Sequence, residues 1–349
     1  MKRIGRKDIK KLVLGSTFFG TGGGGRPSDA RKIFRKAFKN DRTVFLRDMR
    51  EFDKDALFVT AFGVGSSAAS SVVEKAITKA FSRFTDYLPQ KVQGIVPVEI
   101  GPVSLATAFY LASILDLPVI DADMVGGRSS PEVYLETITL FGIRRTPLVL
   151  ANERGDVRIL TAPMSFVREE KRLRDFASVA GGRAYVVGYP ATKRLLSKAV
   201  EKKTITRTLT AGELLRDGRC QHLLRLMRGR VLYSGTVQRI EARNTKGFAM
   251  RTIVLSDGNS IARIYLKNEY LVLRIEDKTV LTCPDLIVLV DERGVPVYGT
   301  EVKGGMHVWV AGIPALPLWR SSRGVSLFNP ARLGFRFRQK LLEGARLDY

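Results

Sequence analysis

The stretch GIVPVEIGPVSLATAFYLASILDLPVIDAD, Gly94 to Asp123, decides the fold. Gly94 to Ile100 reads as a β-strand that ends in Glu99-Ile100-Gly101. Pro102 to Leu115 has the small and apolar spacing of a buried helix. Leu117-Pro118-Val119-Ile120 is a short strand running into Asp121-Ala122-Asp123. Strand, helix and strand in this order make a parallel unit, because parallel neighbours need a crossover between them.

The alternation continues on both sides. Asp8 to Phe19 reads as a helix with Asp8 as N-cap, followed by the run Gly20-Thr21-Gly22-Gly23-Gly24-Gly25. Asp29 is expected to cap a basic helix from Ala30 to Phe38. Ala56 to Gly63 is β-like, Gly63 to Ser67 is a second small-residue loop, and Val72 to Phe84 is helical. Arg144 to Leu160 reads as a β-hairpin turning at Asn152 to Asp156. Arg168 to Ala180 is a helix closed by Gly181-Gly182. Ala184 to Val187 is a strand, and Ala191 to Val200 and Ala211 to Met227 are helical. After Gly229 closely spaced strands take over: Val231 to Val237, Phe248 to Leu255, Ser260 to Leu266, Leu271 to Ile275 and Leu286 to Val290. The expected fold is therefore α/β. An N-terminal α/β domain with a mostly parallel sheet runs to about residue 165. A C-terminal α+β region, 166–349, becomes β-barrel-like from about 229.

Composition narrows the function classes. The chain has 349 residues, 45% hydrophobic and 26% charged, as in a globular protein. No apolar run reaches membrane-spanning length and no signal-peptide core is evident, so a cytoplasmic location and no membrane partner are expected. Two cysteines, Cys220 and Cys283, and two histidines, His222 and His307, build neither a disulfide framework nor a three-histidine zinc site. Carboxylates leave a divalent metal open, and nothing signals a nucleotide cofactor. The net charge of +24 draws anions, nucleic acid included. However, the basic residues are spread along the chain and no nucleic-acid-binding signature appears, so nucleic acid is the weaker alternative. A small-molecule substrate with acidic character and a homo-oligomeric state are expected.

Polar residues at strand ends mark where open α/β sheets bind ligands. Glu99, Asp121 and Asp123 fall there and are the candidate catalytic carboxylates. Gly22, Gly23, Gly24 and Gly25 offer backbone amides for a developing anion. Each has a plainer reading. The glycines can form a linker or a tight turn, the aspartates can cap the next turn, and Glu99 can be a surface residue.

Several pieces resemble one family, described as S-methyl-thiohydantoin desulfurase-like. They are Leu14-Gly15 with the glycine run, Pro97-Val98-Glu99-Ile100-Gly101, Leu117 to Asp123, Pro131-Glu132 and Ala151-Asn152-Glu153-Arg154-Gly155. In the C-terminal half they are Lys267-Asn268-Glu269-Tyr270-Leu271, Pro284-Asp285-Leu286-Ile287 and Gly312 to Trp319. The chain departs from that family at Met124 to Glu132, where the usual stretch resembles Gly-Met-Gly-Arg-Ala-Phe-Pro-Glu. The resemblance implies an α/β N-terminal domain, a β-barrel-like C-terminal part, and hydrolysis of a five-membered cyclic amide or thioamide. Such chemistry needs an activated water, a proton donor for the leaving thiol and a site for negative charge. Arg128 is then a candidate for binding a substrate carboxylate, with a solvated arginine as the alternative. Asn268 and Glu269 would reach the site from the second domain, unless Glu269 lines the barrel exterior. Trp319 is expected in the core.

Overall fold

A computed structural model describes residues 1–65, 74–245 and 248–343. At the centre of an eight-stranded sheet, Val44–Arg47, Val119–Ile120, Val92–Ile95 and Leu57–Gly65 lie side by side in parallel. The helix Pro102–Leu115 makes the crossover between two of them. It is buried from Pro102 to Ala112 without an exposed stripe, because the helix Pro27–Ala37 covers the side that the sheet does not.

The sheet is parallel only in this centre. Lys2–Ile4 joins one margin antiparallel. On the other, Arg183–Thr192, Leu148–Ala151 and Val157–Leu160 follow Leu57–Gly65, all antiparallel. The tight turn at Asn152–Asp156 is too short for a crossover, so the hairpin pairs antiparallel. Pairing also extends Arg183–Thr192 well beyond the expected Ala184 to Val187. Of the expected helix Ala191 to Val200 only Lys193–Leu196 is helical. The expected strand Gly94 to Ile100 leaves the ladder at Ile95. Val96 N still bonds to Val59 O (2.9 Å) of the neighbouring strand, but the bonds after it go elsewhere, with Met124 N on Val98 O (3.0 Å) and Ile100 N on Arg128 O (3.0 Å).

Other boundaries shift for local reasons. The basic helix begins at Pro27, so Asp29 sits in its first turn rather than at the cap. The Asp8 carboxylate accepts from Gly5 N (3.1 Å) and closes a 3-10 turn before the helix Ile9–Phe19. Gly218, at φ +71, divides Ala211 to Met227 into the helices Thr204–Arg216 and Cys220–Leu226. Gly63 to Gly65 finish a strand, while Ser66, Ser67 and Val72 lie outside the described residues.

From Arg230 onward a seven-stranded antiparallel sheet curls into a half-barrel. Its order is Lys278–Thr282, Glu269–Ile275, Ile261–Lys267, Phe248–Ser256, Arg230–Thr245, His307–Ile313 and Leu286–Asp291. Alternate residues such as Ile253, Leu255, Ile264, Leu266, Val308 and Val310 fill its core. The two ends of the sheet approach without forming a ladder. Among the described residues no helix is long and apolar enough to cross a membrane.

The two parts of the chain interlock. The helix Thr204–Arg216 and the strand Arg183–Thr192, both beyond residue 165, pack into the N-terminal layer. Thr204–Arg216 crosses Ile9–Phe19 so closely that a Cβ on Gly15 would lie 2.0 Å from Thr208 O, and one on Gly212 would lie 1.8 Å from Lys11 O. Backbone cannot yield as a flexible side chain can, so Gly15→Ala should cost about 1–3 kcal/mol of stability. A lower melting temperature in thermal unfolding is the expected result; an unchanged one would mean that the helices part freely.

Candidate active site

A cleft opens at the carboxyl ends of Leu57–Gly65 and Val92–Ile95, where α/β sheets hold ligands. Its free space is about 630 Å³ with the open solvent at its mouth included. Phe62, Val64, Val98, Val103, Val125 and Val133 form its apolar walls. Gly24, Gly25, Glu99, Ser104, Ser130, Asn268 and Glu269 add polar groups. The glycine loop, the start of the helix Pro102–Leu115 and the turn at Asn268 of the half-barrel meet there.

Two carboxyl groups stand together at this junction. Glu99 Oε1 accepts from Ser104 Oγ (2.6 Å), and its Oε2 accepts from Ser130 N (2.9 Å). Glu269 Oε1 accepts from Gly24 N (3.2 Å), and Glu269 Oε2 is buried with no hydrogen-bond partner. The Ser129 hydroxyl lies between them, 3.2 Å from Glu99 Oε2 and 2.8 Å from Glu269 Oε1. One hydroxyl hydrogen serves one acceptor, so both contacts are satisfied when the other carboxyl holds a proton. The better-solvated partner in hydrogen bonds is Glu99, and the group with the orphan oxygen is Glu269. The proton therefore resides on Glu269. Burial, and then the charge of Glu99, push Glu269 up to about 8; burial also raises Glu99, against its three donors.

Why Glu269 fits is visible in the glycine loop. A Cβ on Gly23 would lie 1.9 Å from Glu269 Oε1, so only glycine lets the carboxyl in. Gly22, at φ +86, faces the Tyr270 ring, where a Cβ would lie 2.6 Å from the nearest ring carbon. Backbone bonds from Tyr270 N to Thr21 O (2.7 Å) and from Gly299 N to Gly22 O (2.9 Å) bind the loop to the half-barrel. Gly22 and Gly23 support the cleft from behind, whereas Gly24 and Gly25 line it.

Three candidates lie elsewhere. The Asp121 carboxylate accepts from Ile205 N (3.0 Å), Thr206 N (3.0 Å) and Thr206 Oγ1 (2.5 Å), capping the helix Thr204–Arg216. Asp123 is fully buried and accepts from Val125 N (2.9 Å), Gly126 N (2.9 Å) and Gly127 N (2.7 Å). Burial raises it to about 7 in spite of those donors. Asp121 follows the strand Val119–Ile120 and Asp123 ends the short strand Ala122–Asp123, but backbone amides claim them and neither lines the cleft. Arg128 is likewise not a surface clamp. It is fully buried, stacks 4.8 Å from the Phe328 ring centroid, and donates to Ser129 O (2.9 Å), Pro284 O and Thr21 Oγ1 (3.5 Å). Its charge sits behind the carboxyl pair and favours the anionic form of Glu99. Among the described residues no group of three His, Cys, Asp or Glu side chains is placed to hold a metal ion.

Comparison with known proteins gives the family. Residues 7–162 match the family description "S-Me-THD-like, N-terminal domain", and residues 165–341 match "S-Me-THD-like, C-terminal domain". The chain belongs to the S-Me-THD-like family. An X-ray crystal structure of a protein from Chromobacterium violaceum superposes with a TM-score of 0.80 at 22% identity, covering 97% of this chain and 99% of that one. At that identity the likeness shows the fold alone. No curated protein matches the chain.

Sequence reasoning missed other residues that line the cleft of this S-Me-THD-like protein. Ser104 had a signal, since it is a polar side chain early in an apolar helix. Ser130, which lines the cleft, and the fully buried Ser129 lie in the stretch that departs from the family pattern. Glu136 accepts from Arg145 Nε (2.9 Å) and Tyr189 OH (2.9 Å), and burial raises it to about 8. Arg174 donates to Glu170 Oε1 (2.8 Å), Gly65 O (2.8 Å) and Pro131 O (2.9 Å), tying together three segments of the rim. Glu170 lies one helical turn before Arg174, but Gly65, Pro131 and, for Glu136, Tyr189 are distant in sequence, so no local pattern reveals them.

The raised Glu269 has a measurable consequence. Below its ordinary value of 4.5 the carboxyl is protonated whether folded or unfolded, and its burial costs no charge. As pH rises from there to about 8 the unfolded chain ionises first, and folded stability falls. Glu269→Gln removes this dependence. The melting temperature of the variant minus that of the parent should therefore rise between pH 5 and pH 8.5; a difference flat with pH would mean that the carboxyl is solvated.

Proposed function

We propose that this chain is a hydrolase acting on an S-alkyl thiohydantoin or a related hydantoin-like cyclic amide. The carrying observation is the Glu99–Ser129–Glu269 array at the base of the cleft, two buried carboxyl groups bridged by one hydroxyl. Family membership supports the ring chemistry. Opposed protonation states support acid–base catalysis at neutral pH. The Glu99 carboxylate takes the proton of the attacking oxygen. The Glu269 acid protonates the leaving sulfur as the carbon–sulfur bond breaks. For an S-methyl ring the products are methanethiol and the ring carbonyl. The apolar walls suit a five-membered ring. Asp121 and Asp123 take no step.

The experiment is to incubate parent, Glu99→Gln and Glu269→Gln with S-methyl thiohydantoins, thiohydantoins and hydantoins, with and without divalent metal, and to follow thiol release and ring products. Either substitution should lower turnover by about 10²-fold or more. Parent kcat should fall as pH rises through about 8, where Glu269 loses its proton. No turnover of any ring would leave a binding protein of this fold.

A further inference from the structure

We propose that Ser104 is the nucleophile of this site, and that the substrate carbon passes through a covalent bond to its Oγ. The choice of ring rests on the reading above; the geometry of the nucleophile does not. Ser104 Oγ lies 2.6 Å from Glu99 Oε1, within the range of a hydroxyl donating to a carboxylate. Nucleophile and base thus already share the hydrogen bond that activation needs. The other serine and threonine of this helix bond to backbone carbonyls: Thr107 Oγ1 to Val103 O (2.8 Å) and Ser113 Oγ to Ala37 O (2.5 Å). In the cleft, Ser130 Oγ donates to Glu132 O (2.8 Å). Ser104 is the lining serine whose hydroxyl meets a base while its oxygen keeps lone pairs for attack.

Its position adds to the effect. Ser104 is the third residue of the 14-residue helix Pro102–Leu115, whose amino end points into the cleft. The positive end of the helix dipole lowers the energy of an oxyanion at Oγ. The buried, unpartnered Oε2 of Glu269 supplies the independent sign that this corner is built for a reacting group.

The steps balance. In the first, a bond forms between Ser104 Oγ and the ring carbon bearing sulfur, and the serine proton goes to Glu99. The carbon–sulfur bond breaks, its electron pair stays on sulfur, and Glu269 gives sulfur a proton, releasing methanethiol from an S-methyl ring. In the second, water adds to the same carbon and gives a proton to the Glu269 carboxylate. The Ser104 oxygen leaves and recovers its proton from Glu99. The carbon keeps the water oxygen, whose second proton passes to the ring nitrogen as the ring carbonyl forms. Both carboxyls return to their starting states.

The test uses the full chain with an alkyl fluorophosphonate, a probe that phosphonylates activated serines with loss of fluoride. Intact mass and peptide mapping should find one label, on Ser104 in the parent and absent in Ser104→Ala. Glu99→Gln should slow labelling by about 10²-fold or more. Ser104→Ala should also lose methanethiol release. A parent that releases methanethiol while Ser104 stays unlabelled overturns the proposal, because a merely positioning serine would hold Glu99 without being reactive. Turnover by Ser104→Ala at the parent's rate overturns it as well. A label on Ser104 with no turnover of any ring keeps the nucleophile and removes the substrate reading. Neither label nor turnover overturns both.

Discussion

Insertion of the Glu269 side chain under the glycine loop is the contact on which the site depends. The half-barrel supplies the carboxyl, and the α/β layer supplies the space beside Gly23 and the amide of Gly24. Backbone bonds from Tyr270 to Thr21 and from Gly299 to Gly22 hold the two in register. A carboxyl taken out of water is costly unless its neighbours are placed first. Here the placement is rigid, because the contacts on the loop side are main chain. Moving the half-barrel would strip the carboxyl of its donors and open the cleft at the same time.

Buried charge elsewhere follows the same rule. Arg128 has no exposed surface, yet its guanidinium meets carbonyls, a hydroxyl and an aromatic face, with Glu99, Glu269 and Asp285 nearby. Asp285 in turn is held by Ala315 N (2.8 Å), Leu342 N (2.7 Å) and Arg320, fixing the C-terminal segment to the half-barrel. On the far wall Arg145 lies between Glu136 (2.9 Å) and Glu169 (3.5 Å). Removing one partner from such a set leaves an uncompensated charge, which costs more than the pair itself contributes. The networks thus make the cleft walls resistant to rearrangement, a condition for holding two carboxyls in opposite protonation states.

The amino-acid sequence by itself determined the parallel centre, since strand–helix–strand spacing around Pro102 to Leu115 admits little else. It also determined the half-barrel, through its run of short strands, and the core position of Trp319, whose Nε1 donates to Val125 O (2.6 Å). The glycine run and Glu99 were legible as candidates from a glycine cluster and an acid beyond a strand, whereas Glu269 was legible only through the family resemblance. Only the tertiary structure separated Glu99 from Asp121 and Asp123. All three lie at or beyond strand ends, but amides of a helix beginning at Thr204 claim Asp121, while Asp123 folds back on Val125 to Gly127. The burial of Arg128, the antiparallel margins and the pairing of Glu99 with Ser129 and Glu269 were likewise decided in three dimensions. The physical reason is that periodicity reports which face of an element is buried. Whether a polar group is satisfied by backbone or left to do chemistry depends on donors brought close by the fold, often more than a hundred residues away in the chain, as Glu269 is from Ser129.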